Sequence, residues 1–320
     1  MTDSSQVGQL AARLAHGIAE AVVGAEHLSF ALTIALLARG HALIEGVPGT
    51  GKTLAVRAFA YSLGLEFRRI QFTPDLMPSD IVGTTVFDPR TAEFSVHAGP
   101  IVANVVLADE INRTPPKTQA ALLEAMEEGR VTLDGLPIDL PDPFMVCATQ
   151  NPVEYEGTYP LPEAQLDRFL VKVETGYPSE ADEARLLERV AAGFDARSLG
   201  ASNVTVIANL AEIRQAQATV RRVHVARAVA RYAQRIVTAT RDHARLALGA
   251  SPRAGVSLLL ATQAAAAMDS RDFATPDDVK DVAALVLAHR FILRSEAEIE
   301  GVRATQILAD ILAATPVPRE

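Results

Sequence analysis

Cysteine is nearly absent from this sequence, and Cys147 is the only one among 320 residues. A single thiol cannot form an intramolecular disulfide, and such chains are typical of reducing compartments, so a cytoplasmic location is expected. The seven histidines show no metal-ligand spacing, which disfavours a zinc site. The first residues, Met-Thr-Asp-Ser-Ser, contain no basic region followed by an apolar stretch, so no signal peptide is expected.

Long apolar runs and an excess of basic charge are also missing. The longest uncharged stretch, residues 254–268, contains polar side chains and falls short of the roughly 20 apolar residues that a membrane span needs. Lysine and arginine total 30 against 39 acidic residues, which gives a formal net charge of −9. This balance argues against tight nonspecific binding to nucleic acid, because such binding needs a net basic face. Neither a membrane span nor a nucleic-acid partner is therefore expected.

The composition is that of a folded protein with a sizeable core. Apolar residues make up 49% of the sequence and charged residues 22%, which excludes general disorder. The length predicts one large domain or two modest ones. Because the sequence pattern changes near residue 178, we expect an α/β domain over residues 1–178 and a helical domain over residues 179–320.

Short apolar runs alternate with helical patterns in residues 1–178. Strands separated by helices predict βαβ units and a mainly parallel sheet with helices on both faces. Residues 84–99 and 129–143 each predict a β-hairpin inserted into this arrangement. The predicted strands cover residues 42–44, 67–72, 102–107, 144–148 and 169–173, and the predicted helices cover residues 8–21, 27–38, 52–62 and 115–128, the last with Thr114 as its N-cap.

Strand patterns fade after residue 178. Alanine, leucine, valine and arginine then recur at helical spacing, which predicts a small helical bundle. The predicted helices cover residues 225–241, 253–268, 278–291 and 298–313, and residues 191–203 are predicted to form a linker.

The clearest motif follows the first predicted strand. Residues 46–53 read Gly-Val-Pro-Gly-Thr-Gly-Lys-Thr and match G-x-x-x-x-G-K-[ST] without a mismatch. A preceding strand and a following helix are the context of a phosphate-binding P-loop, in which Lys52 contacts the β- and γ-phosphates of ATP and Thr53 ligates Mg²⁺. The expected nucleotide-binding residues of this segment are Gly46, Pro48, Gly49, Thr50, Gly51, Lys52, Thr53 and Leu54.

Polar side chains end two other apolar runs. Asp109 and Glu110 follow the apolar run 105–108, and a carboxylate at the end of a buried strand suits Mg²⁺ coordination beside a P-loop. Asp109 is expected to hold the metal, and Glu110 to orient and activate the attacking water. Asn151 follows another run, and its amide is expected between the γ-phosphate and that water. Without the P-loop, these residues would indicate a solvated strand end and an ordinary Asn-Pro turn.

Three blocks of sequence together resemble the MoxR family of AAA+ ATPases. They are residues 45–53 with the P-loop, residues 109–119 beginning Asp-Glu-Ile-Asn-Arg, and residues 157–169 ending Leu-Asp-Arg-Phe. The resemblance continues through residues 249–253, 275–279 and 289–290, and so covers nearly the whole chain. The second and third blocks are more specific than the P-loop, which many unrelated NTPases share. The resemblance implies an AAA+ core, a helical lid, and a hexameric ring with ATP and Mg²⁺ at the subunit interfaces.

The resemblance also implies roles for single residues. Arg168 matches the arginine finger that reaches the nucleotide of a neighbouring subunit, and such a cation stabilises the charge spread over a transferring phosphoryl group. Arg253 matches the lid position called sensor 2, with its guanidinium facing the cleft between lid and core, and Asn151 matches sensor 1. Arg113 is a second candidate finger, for which an interface structural role is the favoured alternative.

Residues 22–24 lie where the family lines the adenine pocket. Val22, Val23 and Gly24 are therefore expected to contact the base. Ala25 follows where a glutamine is usual, so the sequence departs from the family pattern at this point. The 84–99 hairpin corresponds to the insert in the second helix that marks this clade, and the 129–143 hairpin to the one before sensor 1.

The resemblance implies a chaperone-like function, the remodelling or maturation of a partner protein, often one with a von Willebrand A-type domain. Because the AAA+ core and lid fill almost the whole sequence, the partner would supply the specificity. Three alternatives stay open. A nucleic-acid-dependent motor is disfavoured by the acidic charge, and a transcription activator would need a receiver or helix-turn-helix domain that the sequence does not indicate. A nucleotide-locked scaffold with negligible turnover is the third.

Overall fold

A five-stranded parallel sheet forms the centre of the first half of the chain in the computed structural model, which describes residues 3–90, 93–133, 135–151, 158–196, 198–201 and 204–318. The spatial order of its strands is β2-β5-β8-β1-β9, and every neighbouring pair is parallel. The nine strands of this half are β1 (Ala42–Gly46), β2 (Phe67–Gln71), β3 (Gly83–Asp88), β4 (Glu93–Ala98), β5 (Val105–Asp109), β6 (Arg130–Leu133), β7 (Leu136–Asp139), β8 (Met145–Gln150) and β9 (Val171–Thr175).

Helices surround this sheet and make up most of the second half. They are α1 (Asp3–Ala21), α2 (Glu26–Leu37), α3 (Lys52–Ser62), α4 (Pro78–Val82), α5 (Pro116–Glu128), α6 (Glu163–Leu166), α7 (Glu180–Ala191), α8 (Leu210–Arg221), α9 (Arg227–Arg241), α10 (Pro252–Met268), α11 (Pro276–Leu287), α12 (Ser295–Ile299) and α13 (Ala304–Ala314), with short 3₁₀ turns at Ile111–Arg113, Leu199–Ala201 and Ala288–Arg290. Within the described ranges, none of the helices combines the length and apolar character needed to cross a membrane.

The inner strands of the sheet are buried on both faces, as the sequence predicted. Successive residues of β5 alternate between two apolar clusters, with Val105 and Leu107 in one and Val106 and Ala108 in the other. This alternation follows from the two-residue period of a strand. The first cluster continues into the helices of the second half, whereas the second lies under α5. The α/β core and the helices of the lid therefore share one apolar interior.

The two predicted hairpins are confirmed. Strands β3 and β4 are antiparallel, and their paired residues run from Gly83 with Ala98 to Asp88 with Glu93. Strands β6 and β7 are also antiparallel, and their pairs run from Arg130 with Asp139 to Leu133 with Leu136. Residues 91–92 of the first hairpin and Asp134, predicted as part of the second turn, lie outside the described residues.

Three local predictions were wrong, and one of them is the continuous helix over residues 298–313, which is divided into α12 and α13 by residues 300–303. Helix α5 begins at Pro116 with Pro115 as its N-cap, so Thr114 does not cap it. The reason is the second proline, because a residue before proline is disfavoured in the helical region and Pro115 is extended, with ψ 152°. The Thr114 hydroxyl instead donates to the Thr73 carbonyl at 3.2 Å. The second half also contains a short antiparallel pair, β10 (Leu246–Leu248) with β11 (Ile292–Leu293), where only helices were predicted.

A buried arginine fixes the lid to the amino end of β9. The Arg290 side chain is only 2% exposed, and its Nε donates to Asp167 Oδ1 at 2.6 Å. Its Nη2 donates to the Phe169 carbonyl at 2.8 Å. Asp167 Oδ2 also accepts a hydrogen bond from Ser251, the N-cap of α10, at 3.2 Å. The start of α10 and the segment before β9 are therefore held together.

His41, just before β1, is held in its neutral form. The Val146 N–H donates to Nδ1 at 3.0 Å, so this nitrogen carries no proton, and Nε2 donates to the Met126 carbonyl at 3.1 Å. Burial is the main cause that lowers the pKa of His41 to about 4.

We expect the free energy of unfolding to decrease as the pH falls from 6.5 to 4, because the unfolded chain then binds a proton at His41 that the folded chain excludes. His41 alone should account for about 3 kcal/mol over this range. Urea unfolding at several pH values measures the slope. The His41→Gln variant should show a flatter slope, whereas His16→Gln, an exposed control on α1, should retain the wild-type one. An unchanged slope in His41→Gln would contradict this assignment.

Candidate functional site

The P-loop joins the end of β1 at Gly46 to the start of α3 at Lys52. Gly49 and Gly51 have φ angles of +83° and +77°, which side chains with a Cβ rarely adopt, so the turn requires glycine at both positions. The first turn of α3 presents backbone N–H groups and the positive end of the helix dipole. This segment is therefore suited to binding an anion such as a phosphate chain.

A cavity of about 380 Å³ lies over the P-loop at the carboxyl ends of β1, β5 and β8. It falls within the usual size range of small-molecule sites. All P-loop residues predicted to bind nucleotide line it, together with Asp109, Glu110 and Asn151. The full lining is Gly46, Pro48, Gly49, Thr50, Gly51, Lys52, Thr53, Leu54, Asp109, Glu110, Thr149, Gln150 and Asn151.

The Lys52 ammonium lies on the P-loop itself. Its Nζ donates to the Gly46 carbonyl at 2.8 Å and to the Val47 carbonyl at 2.6 Å. Partial burial lowers the pKa of Lys52, while the charges of Asp109 and Glu110 act in the opposite direction. Lys52 is thus a cation at the cavity wall, where it can contact a bound phosphate, and two carboxylates lie nearby.

Asp109, the last residue of β5, is buried, and both of its carboxylate oxygens accept hydrogen bonds. Its Oδ1 accepts a hydrogen bond from the Thr149 hydroxyl at 2.5 Å. Its Oδ2 accepts two from Arg69, from Nε at 2.9 Å and from Nη2 at 2.7 Å, and lies 3.4 Å from Thr53 Oγ1. A buried carboxylate is stable only with such partners.

The residues present fit a magnesium ion. Thr53 and Asp109 offer hard oxygen donors close together, and Mg²⁺ is held through one or two carboxylates while substrate phosphates and water complete its shell. Throughout the described ranges, no group of three or more His, Cys, Asp or Glu side chains is arranged to hold a metal. A site that shares the ion with phosphates needs no such cluster.

Glu110 has a strained backbone and a restrained side chain. Its φ of +57° and ψ of +49° lie in the left-handed region, which is unusual for a residue other than glycine and is found often at functional sites. Its N–H donates to Thr149 Oγ1 at 2.8 Å. Its Oε2 accepts from Gln71 Nε2 at 2.8 Å and from Arg113 at 3.1 Å. Arg113 thus pairs with Glu110 of its own chain.

The predicted adenine-binding residues lie next to the P-loop but outside the cavity lining. A methyl group built on Gly51 would meet Val22 Cγ1 at 3.1 Å, so Val22 packs directly against the loop. Gly24 faces Asp182 at the start of α7. Val23 is half-buried.

Asn151 is 7% exposed and lines the cavity beside the P-loop.

Arg168 and Arg253 lie together at the opposite edge of the sheet. Arg168 donates to the Leu123 carbonyl at 2.5 Å and pairs with Glu127 at 2.9 Å, and Arg253 contacts the same Glu127 carboxylate at 3.4 Å. Arg168 precedes the amino end of β9, whereas the P-loop follows the carboxyl end of the adjacent β1. Five residues of strand separate these edges by about 13 Å.

Four residues of the site were missed by the sequence analysis: Arg69, Gln71, Thr149 and Glu127. The signal for the first two was a pair of polar residues at i and i+2 near the end of a predicted strand, which share one face of the sheet. Thr149 lies two residues before Asn151, which was predicted to lie between the γ-phosphate and the attacking water. No sequence pattern indicated Glu127, because it is one of several acidic residues on α5.

Comparison with known proteins gives consistent matches. The family model "ATPase family associated with various cellular activities (AAA)" matches residues 41–171, and the model "AAA lid domain" matches residues 238–311. The chain is 48% identical to the uncharacterised protein YeaC of Bacillus subtilis, over 93% of this chain and 91% of that one. It is 40% identical to Chaperone MoxR1 of Mycobacterium tuberculosis, over 93% of this chain and 80% of that one.

A solved structure supports the fold. The crystal structure of a protein from Cytophaga hutchinsonii, 38% identical, superposes with a TM-score of 0.90 over 99% of this chain and 97% of that one. The predicted α/β core with hairpin inserts and a helical lid is therefore confirmed.

We expect Thr149→Val to lower the free energy of unfolding by about 1–3 kcal/mol, because the half-buried Glu110 loses the acceptor of its N–H and the buried Asp109 loses a donor. Thr149→Ser retains the hydroxyl and should remain close to wild type. Urea unfolding of the three proteins at pH 7 measures the difference. Equal stability of the valine and serine variants would show that the hydroxyl does not support the two acids.

Proposed function

The chain belongs to the MoxR family of AAA+ ATPases, and we propose that it hydrolyses ATP with Mg²⁺ in a ring whose sites lie between subunits. We further propose that the ring remodels or matures a partner protein. The observation that carries the proposal is the separation of the phosphate-binding cavity from Arg168 and Arg253, at opposite edges of one sheet.

The cavity supplies most of the chemistry of hydrolysis. The P-loop backbone and Lys52 bind the phosphate chain, and Thr53 with Asp109 holds the Mg²⁺, which would neutralise charge on the phosphates. Glu110 orients and activates the attacking water, while Asn151 holds that water against the γ-phosphate. Residues 22–24, beside the loop, contact the adenine.

Two cations for the transition state come from a neighbouring subunit. A strand of five residues separates Arg168 from the P-loop of its own chain, so its guanidinium cannot reach its own γ-phosphate. Arg253, which was expected to face the cleft between lid and core, contacts the same Glu127 carboxylate as Arg168. In a head-to-tail contact, the edge that carries both arginines meets the cavity of the next subunit. Repetition of this contact closes a ring, for which we propose six subunits.

The proposed partner binds the exposed hairpin of β3 and β4. Phe87 and Val96 are 49% and 46% exposed and lie on one face of this hairpin, since Val96 pairs with Thr85 and side chains alternate along a strand. Exposed apolar side chains on an insert are typical of contact surfaces. The name of the M. tuberculosis relative, a chaperone, supports a protein partner, and we propose one with a von Willebrand A-type domain.

We expect Lys52→Ala and Arg168→Ala each to lose ATP hydrolysis alone, the latter by roughly 10³-fold. Mixed rings should regain it, because the first variant supplies an intact arginine and the second an intact P-loop. With random mixing, about a quarter of the interfaces become complete. Phosphate release measures the recovery.

The control for this experiment mixes Lys52→Ala with the double variant Lys52→Ala/Arg168→Ala, which contains no intact P-loop and should stay inactive. Subunit exchange is verified separately by fluorescence transfer between labelled chains. If exchange occurs and activity does not return, Arg168 does not act across the interface.

We expect Glu110→Gln to bind ATP without hydrolysing it, and therefore to retain the partner. Affinity capture from native lysate with ATP should enrich a protein with a von Willebrand A-type domain, and ADP should reduce the capture. Phe87→Ser/Val96→Ser in this background should weaken capture, whereas Leu136→Ser, on the exposed second hairpin, should not.

Other outcomes would favour the alternative functions. Enrichment of nucleic acid, or several-fold stimulation of wild-type hydrolysis by DNA or RNA, would indicate a nucleic-acid-dependent motor. Negligible phosphate release from wild-type rings would indicate a nucleotide-locked scaffold.

A further inference from the structure

Asp109 already has a cationic partner within its own chain. Arg69 on β2 donates from both Nε and Nη2, at 2.9 Å and 2.7 Å, and both bonds end on the same oxygen, Oδ2. Thr53 Oγ1 lies 3.4 Å from that oxygen, and the Thr149 hydroxyl occupies Oδ1. A metal ion held by Thr53 and Asp109 would therefore approach the oxygen to which Arg69 is bound.

The two members of this ion pair differ in exposure. The Asp109 side chain is 12% exposed and the Arg69 side chain 48%. A buried carboxylate that loses its cation is strongly destabilised, whereas a half-exposed guanidinium on a flexible stem is readily hydrated when it moves away. Asp109 therefore needs a cation at all times, but Arg69 does not need Asp109.

We propose that Arg69 competes with the divalent cation for Asp109, and so makes tight metal binding depend on bound nucleotide. The proposal rests on the metal role of Asp109 proposed above. Because two cations at one carboxylate oxygen repel each other, the metal must displace the guanidinium. Phosphate oxygens add ligands and negative charge to the metal, and this shifts the exchange in its favour. Arg69 is thus a positioning residue of the metal site.

The displaced guanidinium retains a partner on its own strand. Arg69 Nη2 also donates to Gln71 Oε1, two residues along on the same face of β2. Gln71 Nε2 in turn donates to Glu110 Oε2 at 2.8 Å. The Gln71 side chain therefore links Glu110 to the exchange of Arg69 for a metal ion at Asp109.

Titration with Mn²⁺ alone, without nucleotide, tests the proposal, and the electron paramagnetic resonance signal of free Mn²⁺ reports binding. Arg69→Met keeps an unbranched apolar stem but removes the guanidinium and its charge, and should bind Mn²⁺ at least about tenfold more tightly than wild type. Arg69→Lys keeps the charge but cannot make both hydrogen bonds to Asp109. Its affinity for Mn²⁺ should lie between those of wild type and Arg69→Met. Arg68→Met is the matched control, because Arg68 pairs with Glu66 and not with Asp109.

A second substitution identifies the ligand. Asp109→Asn added to Arg69→Met should abolish the gain in Mn²⁺ affinity, because the gain acts through that carboxylate. The proposal is overturned if Arg69→Met and Arg69→Lys bind Mn²⁺ no more tightly than wild type. It is also overturned if the double variant Arg69→Met/Asp109→Asn keeps the gain in Mn²⁺ affinity. Since no nucleotide or turnover enters the measurement, this result is independent of whether rings form or ATP is hydrolysed.

Discussion

The direction of the parallel strands is the constraint on which the rest of the structure depends. All five strands run the same way, so their carboxyl ends meet at one edge, and loops from β1, β5 and β8 build one cavity there. The amino ends meet at the other edge, where Arg168 and Arg253 share Glu127. One chain thus presents the cavity at one edge and the two arginines at the other, and the proposed head-to-tail assembly depends on this separation.

Buried charge is the second theme of the molecule, and each buried ionic group has specific partners. Asp109 has Thr149, Thr53 and Arg69, and Arg290 has Asp167 with backbone carbonyls. Such groups add little net stability compared with apolar side chains, because desolvation offsets the attraction between the charges. Because their partners are correctly placed in one packing of the chain, these groups favour that packing over alternative ones. Here they fix the carboxyl end of β5, where the metal site is proposed, and the junction of lid and core.

The cavity combines rigid and exchangeable contacts. The strained backbone of Glu110 and its N–H bond to Thr149 fix the position of this residue, while its carboxylate is held by two side chains, Gln71 and Arg113. Side-chain contacts to a carboxylate can change when a cation or an anion enters, whereas the backbone cannot easily do so. This division allows ligand binding to alter the environment of Glu110 without rebuilding the sheet.

The sequence alone determined the P-loop, the acids that end β5, the alternation of strands and helices, and both hairpins. These features depend on residues close together in the chain, such as the glycines whose positive φ angles shape residues 46–53. Only the tertiary structure decided that Arg69 would bind Asp109 and that Arg168 and Arg253 would meet at Glu127. Those contacts depend on the order of strands in the sheet and on how the lid docks. Many packings satisfy the same local pattern, and long-range burial and charge pairing select one of them.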